Sequence, residues 1–433
     1  MAFCALPLNL LERRYVRRIV MTGLVAAAAV LGSVVPAVSA TAATRPAPAT
    51  VARLASPAAG SAGTVSVAID SIGDRISCAS PTACLAVGMV TDSSGDQTTP
   101  VAEALHGTAW KSVAVKEPKG ATDAALTGVS CKAATYCLAV GAYADQAGNT
   151  HPAAWTWNGT TLTLVTAPPM PSGSDLTALA AVSCVAVKSC VAIGSAFGSS
   201  GSSFQLIWTW NGKSWARKAA TAGAKGTEAQ LTAAHCFSLT SCVVAGTTTP
   251  VSGTTFTESL LLATWNGKAF TPQEAGAVSL DFGIVADVSC SSPAHCAMVG
   301  TNVFLSGKTT ALTGFAEVWN GTAWTATKWT GPKGATIAAL FGVSCTSPTS
   351  CVAVGLTGSQ KTGHAAALSF NGTKWSVLTV PSAGTGIITA FEGVSCPKTG
   401  DCVAIGRYGK SSATAGKPLA GYWNGTAWKL KAA

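Results

Sequence analysis

Leu340–Gly355 reads LFGVSCTSPTSCVAVG: an apolar run, a cysteine, five residues, a second cysteine and another apolar run. The chain writes this unit seven times. The first cysteine falls at Cys78, Cys131, Cys184, Cys236, Cys290, Cys345 and Cys396, in steps of 53, 53, 52, 54, 55 and 51 residues. The second follows six positions later, at Cys84, Cys137, Cys190, Cys242, Cys296, Cys351 and Cys402. A repeat of this period built from strand-like segments points to the blades of a propeller.

Each repeat carries four strand signals. In the sixth they are strand a at Leu340–Ser344, b at Cys351–Val354, c at Ala365–Phe370 and d at Trp375–Thr379. The five residues between the cysteines form the a–b loop. Asn-Gly joins c to d, and the expected hairpin is a two-residue type I′ turn, which requires positive φ at both central residues. The dipeptide recurs at Asn158, Asn211, Asn266, Asn320, Asn371 and Asn424, with His106-Gly107 in its place in the first repeat.

Aromatic residues bracket these turns, as in Trp319-Asn320-Gly321-Thr322-Ala323-Trp324. A two-residue loop pairs Trp319 with Thr322 and leaves Trp324 as a diagonal neighbour on the same sheet face. Trp210/Trp215, Trp265/Phe270, Phe370/Trp375 and Trp423/Trp428 repeat the arrangement, with Leu105/Trp110 and Trp157/Leu162 as softer versions. A ladder that stacks ligands is one reading. A ring pair at the same place in every copy reads more simply as packing between blades.

One small four-stranded sheet cannot bury two apolar faces, whereas seven such sheets packed around an axis can. Segments such as CVAVG, apolar on both faces, and a mean hydropathy of +0.37 fit that sandwiching. A β-helix coil is too small for about 52 residues with four strands. The expected fold is therefore all-β: a seven-bladed β-propeller of four-stranded antiparallel blades, one C-x5-C disulfide in each, over residues 64–433. Strand d should be the exposed edge. Its basic residues, Lys111, Arg217, Lys218, Lys328, Lys429 and Lys431, then guard against edge-to-edge association.

Composition sets the compartment. The chain has 433 residues, 15 cysteines and only 11% charged residues. Fourteen cysteines belong to the seven pairs, which suits an oxidising compartment. Arg13, Arg14, Arg17 and Arg18 precede the apolar run Ile19–Val35, and Val38-Ser39-Ala40 makes a small-residue cleavage site, so residues 1–40 read as a signal peptide. The run is short for a membrane anchor. Cys4 precedes it and leaves with the peptide. Glu12-Arg13-Arg14 is a weak twin-arginine signal, and the general secretory route suits disulfide-bearing domains better.

Residues 41–63, rich in Ala, Pro and Thr, read as a disordered spacer, and Thr64–Asp70 alternates like a further strand. Removing 1–40 leaves a charge of (28 − 4) − (18 − 1) = +7. The lysines form no basic stripe, so nucleic acid is not an expected partner. No membrane span is expected after cleavage, and a secreted monomer is.

Catalytic sets are hard to find. C-x5-C across a hairpin reads as a structural disulfide; structural zinc wants four convergent ligands. The five histidines, His106, His151, His235, His295 and His364, sit at different repeat positions. Asp74 and Glu392 sit at equivalent places in repeats one and seven, neighbours once the ring closes. A carboxylate pair there suits acid/base work or a cation, and solvated end-of-strand carboxylates are the plainer reading. No G-x-S-x-G, H-E-x-x-H, P-loop or EF-hand pattern is present, and no metal or cofactor is expected. Asn158, Asn320, Asn371 and Asn424 head N-G-T sequons, read here as turns because the Ala/Gly/Val-heavy composition looks bacterial.

The VSC…CVAVG…WNGTxW unit resembles the repeats of secreted β-propeller proteins of high-GC Gram-positive bacteria, over about residues 70–433. Its NGTxW turn is distantly similar to the Asp-box hairpin of sialidase-like propellers. The Asp-box aspartate is absent, as are that family's arginine triad and tyrosine nucleophile. The resemblance implies a fold and export, and no activity.

Function is expected as binding of an extracellular glycan or protein, the alternatives being a structural envelope or matrix protein and a glycoside hydrolase or lyase with an axial site. In an up-and-down meander the a–b and c–d links share one face and the b–c and d–a links the other. The first face is stereotyped and the second varies, so recognition is expected on the second. Tyr143, Phe197, Arg407 and Tyr408 are its first candidates, each also readable as a loop anchor.

Overall fold

The computed structural model describes residues 75–432, apart from 92–96, 175, 198–202, 220–226, 251–258, 277–282, 307–308, 360–361, 385–386 and 411–416. The expected signal peptide, spacer, Thr64–Asp70 strand and Asp74 lie outside the described residues. Among the described residues twenty-eight strands make seven antiparallel blades of four, each in the order a-b-c-d. Blade 1 is Arg75–Ser80, Ala83–Thr91, Thr98–His106 and Ala109–Val113; blade 7 is Ile388–Lys398, Asp401–Gly409, Lys417–Trp423 and Trp428–Ala432. Strand a of every blade touches strand a of the next, and that of blade 7 touches that of blade 1. The chain is thus a closed seven-bladed β-propeller with the a strands around the axis.

Apolar faces of neighbouring sheets meet to form the core. Leu85 and Ala104 of blade 1 pack on Leu126 and Trp155 of blade 2, and a comparable cluster fills each later seam as far as Ile76 and Leu105 against Val403 and Ile405, between blades 1 and 7. Strand b is buried nearly end to end because a blade covers each face: Val352, Ala353 and Val354 all lie below 7% exposure. The rim carries the charge. Lys111, Arg217, Lys218, Lys328, Lys429 and Lys431 are all exposed on strand d.

Both turns of the repeat differ from expectation in register. The five residues between cysteines are not a loop. In blade 6, strand a runs Ile337–Ser347 and strand b Ser350–Gly358, with Cys345 opposite Cys351 and Ser347 opposite Ser350, so Thr346 is a bulge and Pro348-Thr349 alone turn the chain. The seven disulfides close directly across these hairpins, with Cα atoms 3.8–4.0 Å apart.

At the c–d turn Trp319 lies opposite Trp324 rather than Thr322. Gly321 has φ +96°, whereas Asn320 is absent from the positive-φ residues, so a type I′ turn is excluded. The asparagine acts through its side chain instead: Asn320 Oδ1 accepts from Thr322 N–H at 3.0 Å, Thr322 O–H at 2.8 Å and Ala323 N–H at 2.9 Å. This is Asx-turn chemistry, which frees asparagine from the left-handed conformation. The flanking rings become directly opposed pairs, 5.7 Å apart at Trp319/Trp324 and 5.0 Å at Trp210/Trp215. They pack at the seams, where Trp324 and Trp210 belong to the inter-blade clusters.

A serine ring ties the inner strands. The residue before the first cysteine is serine in six blades, and its Oγ accepts the N–H of the next blade's first cysteine. Ser77, Ser130 and Ser183 accept from Cys131, Cys184 and Cys236 at 2.9 Å each. Ser289, Ser344 and Ser395 accept from Cys345, Cys396 and Cys78 at 3.0, 2.9 and 3.0 Å. The last of these closes the ring. In blade 4 the position is His235, which breaks the pattern.

Candidate functional site

The two faces of the disc are built differently. The a–b and c–d turns of each blade interlock: a Cβ on Gly267 would come 2.6 Å from Thr240 Cγ2, and one on Gly372 would come 2.7 Å from Thr349 Cγ2. All seven c–d turn glycines have positive φ, which explains the glycine there, and the packing at turns such as these makes this face repetitive. The opposite face carries the b–c and d–a links, whose lengths and sequences differ from blade to blade.

Charges converge on the axis from blades that are not neighbours. Arg75 lies three residues before Cys78 and Asp287 three before Cys290, one repeat position occupied elsewhere by Gly128, Ala181, Ala233, Gly342 and Gly393. Arg75 Nη1 stands 3.7 Å from Asp287 Oδ1, and its Nη2 donates to Ala286 O. Blades 1 and 5 are three apart around the ring, so this pair spans the axis. Asp287 also accepts from Val288 N–H at 2.9 Å and Val343 N–H at 3.1 Å. Burial raises its carboxyl above the usual value, against the pull of Arg75 and the two N–H donors.

One residue further from the turns, strand a carries a bulge. Thr127 and Thr232 use it to donate to the next blade, at Leu179 O (2.7 Å) and Val285 O (2.8 Å). In blade 7 the bulge is Glu392, whose Oε1 pairs with Arg407 Nε at 3.0 Å. The paired side chains are 5% and 23% exposed, so the bridge is mostly enclosed. At the turn end of the axis is His235. Enclosure, and then the positive charge of Lys132, push its imidazole down to about 4.

The sequence candidates are distributed unevenly. Arg407 forms the enclosed pair with Glu392. Tyr143 is half-buried against the blade 1–blade 2 core and stacks on His151, ring centres 5.0 Å apart. His151 Nε2 bonds Asp145 Oδ2 at 2.8 Å, and that bond, ahead of those from Asn149 and Gly148, holds the Asp145 carboxyl down at about 2. Tyr408 is half-buried in the blade 6–blade 7 core. The Phe197 main chain pairs with Leu176 and Ser203, while its side chain lies outside the described residues. Of the expected carboxylate pair only Glu392 is described.

Sequence reasoning looked for ionisable residues and found them sparse. It missed Arg75 and Asp287. Their signal was available in the alignment of repeats: two charges at a position otherwise reserved for glycine and alanine. Among the described residues no group of three or more His, Cys, Asp or Glu side chains could hold a metal ion. No described helix is long and apolar enough to cross a membrane.

No protein-family model matches the chain, and no curated protein matches it. Solved structures do. A polysaccharide lyase of family PL25, an ulvan lyase bound to -[GlcA(1-4)Rha3S]-, superposes with a TM-score of 0.51 at 9% identity over 83% of this chain and 95% of that one. The SapL1 lectin in complex with alpha methyl fucoside gives 0.39 at 13% identity over 69% and 92%, and the six-bladed lectin of Aleuria aurantia gives 0.38 at 11% over 83% and 95%. At these identities the likeness concerns the fold alone.

Proposed function

We propose that the protein is a secreted binding propeller that recognises an extracellular glycan or protein through the face carrying its b–c and d–a links. One observation carries this reading: the residues that depart from the repeat in charge form two largely enclosed ion pairs, Arg75–Asp287 across the axis and Glu392–Arg407 within blade 7. A scaffold needs no such departure, because the small residues of five blades already satisfy the same position. Export follows from the signal-peptide pattern and the seven disulfides. The rigid turn face supports the site and the variable links surround it.

A glycan array and a pull-down from the producing cell's surface test this, followed by charge reversals at exposed lysines on each face. Lys119→Glu and Lys410→Glu alter the variable face; Lys213→Glu and Lys268→Glu alter the turn face. Binding should weaken only with the first pair. Binding that survives the first pair and is lost with the second would place the site on the wrong side of the disc.

A further inference from the structure

Blade 2 holds a polar cluster on the variable face, apart from the two enclosed ion pairs. Its strand b (Tyr136–Asp145) and strand c (Thr150–Trp157) are joined by a link built on Asp145. Asp145 Oδ1 accepts from Asn149 N–H at 2.9 Å, Asp145 O accepts from Gly148 N–H at 3.0 Å, and Gly148 takes φ +97°. Asn149 Nδ2 donates to Asp145 Oδ2 at 3.3 Å. The carboxylate is thereby held by its own turn. Its Oδ2 lies 2.8 Å from Nε2 of His151, whose ring also stacks on Tyr143, the residue opposite it in the ladder.

The other ring nitrogen faces sulfur. His151 Nδ1 stands 3.1 Å from Sδ of Met170, on the link from blade 2 to blade 3. Anchors on both sides set that methionine in place. Pro169 O accepts from Trp208 Nε1 at 3.1 Å, and Pro171 O accepts from Ser174 O–H at 2.8 Å. The strand that follows joins the same ladder, where Leu176 pairs with Thr150. Met89 and Met298 are buried in the core, whereas Met170 is half-buried. The His151 and Asp145 side chains are 26% and 29% exposed, so solvent reaches the cluster.

The hydrogen bonds decide which nitrogen carries the proton. An ionised carboxylate only accepts, so Nε2 is the donor to Asp145. A neutral imidazole then has no proton on Nδ1, and its lone pair is turned towards a thioether, which also only accepts. Two acceptors 3.1 Å apart make no hydrogen bond with each other. A cation can bind both, with bonds of about 2.0 Å to nitrogen and about 2.3 Å to sulfur. A carboxylate on the far nitrogen is the common support of a metal-binding histidine, where it fixes the tautomer and raises basicity. Thioether sulfur selects a soft ion, cuprous copper above all, while calcium and magnesium require oxygen donors. The unbranched methionine side chain adapts its sulfur position readily.

We propose that His151 Nδ1 and Met170 Sδ form a binding site for one cuprous ion on the variable face of blade 2, with Asp145 as the positioning residue. The site takes a soft monovalent cation through two protein donors drawn from two different links. It is independent of the glycan or protein reading, and either can fail without the other.

Anaerobic titration of the full mature chain with cuprous ion, disulfides intact, tests the assignment. The chain should bind one equivalent, and X-ray absorption at the copper edge should show nitrogen at about 2.0 Å and sulfur at about 2.3 Å. Met170→Leu and His151→Gln should each weaken binding by about tenfold or more, and calcium should not compete. In the metal-free chain at pH 8, nitrogen-15 spectra of the histidine rings should show His151 protonated on Nε2 alone. Asp145→Asn should mix the two tautomers and weaken cuprous binding by about tenfold. A proton on Nδ1 in the wild type would reveal an ordinary hydrogen bond to sulfur and overturn the proposal. So would binding unchanged in Met170→Leu, or a copper spectrum without sulfur. If a variant does not fold, the wild-type spectra decide.

Discussion

Glu317→Gln should stabilise this propeller at alkaline pH and leave it unchanged in acid. Glu317 is fully buried between blades 4 and 5, and burial pushes its carboxyl up to about 7 from 4.5, opposed by the hydrogen bond from Gly276. The folded chain therefore keeps a proton that the unfolded chain has already released. Stability from this group is complete below about pH 4.5 and is lost as pH rises towards 7. Above that, the charged form persists in a site that disfavours it. The gap between 4.5 and 7 amounts to about 3 kcal/mol at about 1.4 kcal/mol per pH unit. Glutamine mimics the protonated acid at every pH and can still accept from Gly276. With an unfolding entropy of about 2 cal/mol/K per residue over roughly 360 residues, that gain raises Tm by about 4 °C. Melting curves of both chains at pH 4 and pH 8 check it: the two should coincide at pH 4 and separate at pH 8. An equal difference at both values would show that burial of charge is not the cause. A lower Tm for Glu317→Gln at pH 8 would show that the bond to Gly276 needs the full negative charge.

Four further outcomes follow from the geometry. His235→Ser should restore the missing acceptor for Cys290 N–H and weaken the acid sensitivity of the fold, because a buried imidazole held down at about 4 loses stability as pH falls from 6.5 towards 4; an unchanged Tm difference between pH 7 and pH 4.5 refutes this. Replacing both Cys345 and Cys351 by alanine should lower stability by about 2 kcal/mol without opening the ring, since the bridge closes only its own hairpin; denaturant unfolding measures it. Asn320→Ala removes an acceptor used by three donors and should cost about 1 kcal/mol, with retained near-ultraviolet circular dichroism showing that the Trp319/Trp324 pair persists. Arg75→Met leaves Asp287 without its cross-axis partner and should cost about 2 kcal/mol, most of which the double variant with Asp287→Asn should recover; strictly additive effects would refute the coupling.

The blades were legible because their signals are local and repeated. Cysteine spacing, Asn-Gly and strand-like runs each act within one hairpin, and seven copies average out the noise of any one. Register within the turns was not legible. Whether Asn320 supplies its backbone or its side chain to the turn depends on the Oδ1 bonds to Thr322 and Ala323, and the dipeptide reads the same either way. The a–b turn was misjudged for a related reason: polar residues such as Ser347 and Ser350 look like loop, yet they pair in the ladder beside the disulfide. The axial pair was harder still. Arg75 and Asp287 are 212 residues apart in the chain, and only the ring brings them within 3.7 Å.

Repetition also limits what can be functional. Any feature present in all seven blades is explained by the demands of packing one blade on the next, so the proposed recognition would reside where the copies disagree. The disagreements fall into two groups. The two buried glutamates, Glu103 and Glu317, replace residues at the seams; they and His235, at the turn end of the axis, bear on stability and its pH dependence. Arg75 and Asp287 replace small residues at the axis, and Glu392 and Arg407 form a second pair within blade 7. Burying a charge is costly unless a partner is buried with it, and each of these four has one. Paired in this way, they supply strong, directional hydrogen-bonding groups without leaving a net charge, which on the proposed function suits a neutral polar ligand such as a glycan better than a polyanion. A screen that returned only highly sulfated or phosphorylated ligands, with affinity falling steeply in salt, would contradict that balance and shift attention to the lysines of the rim.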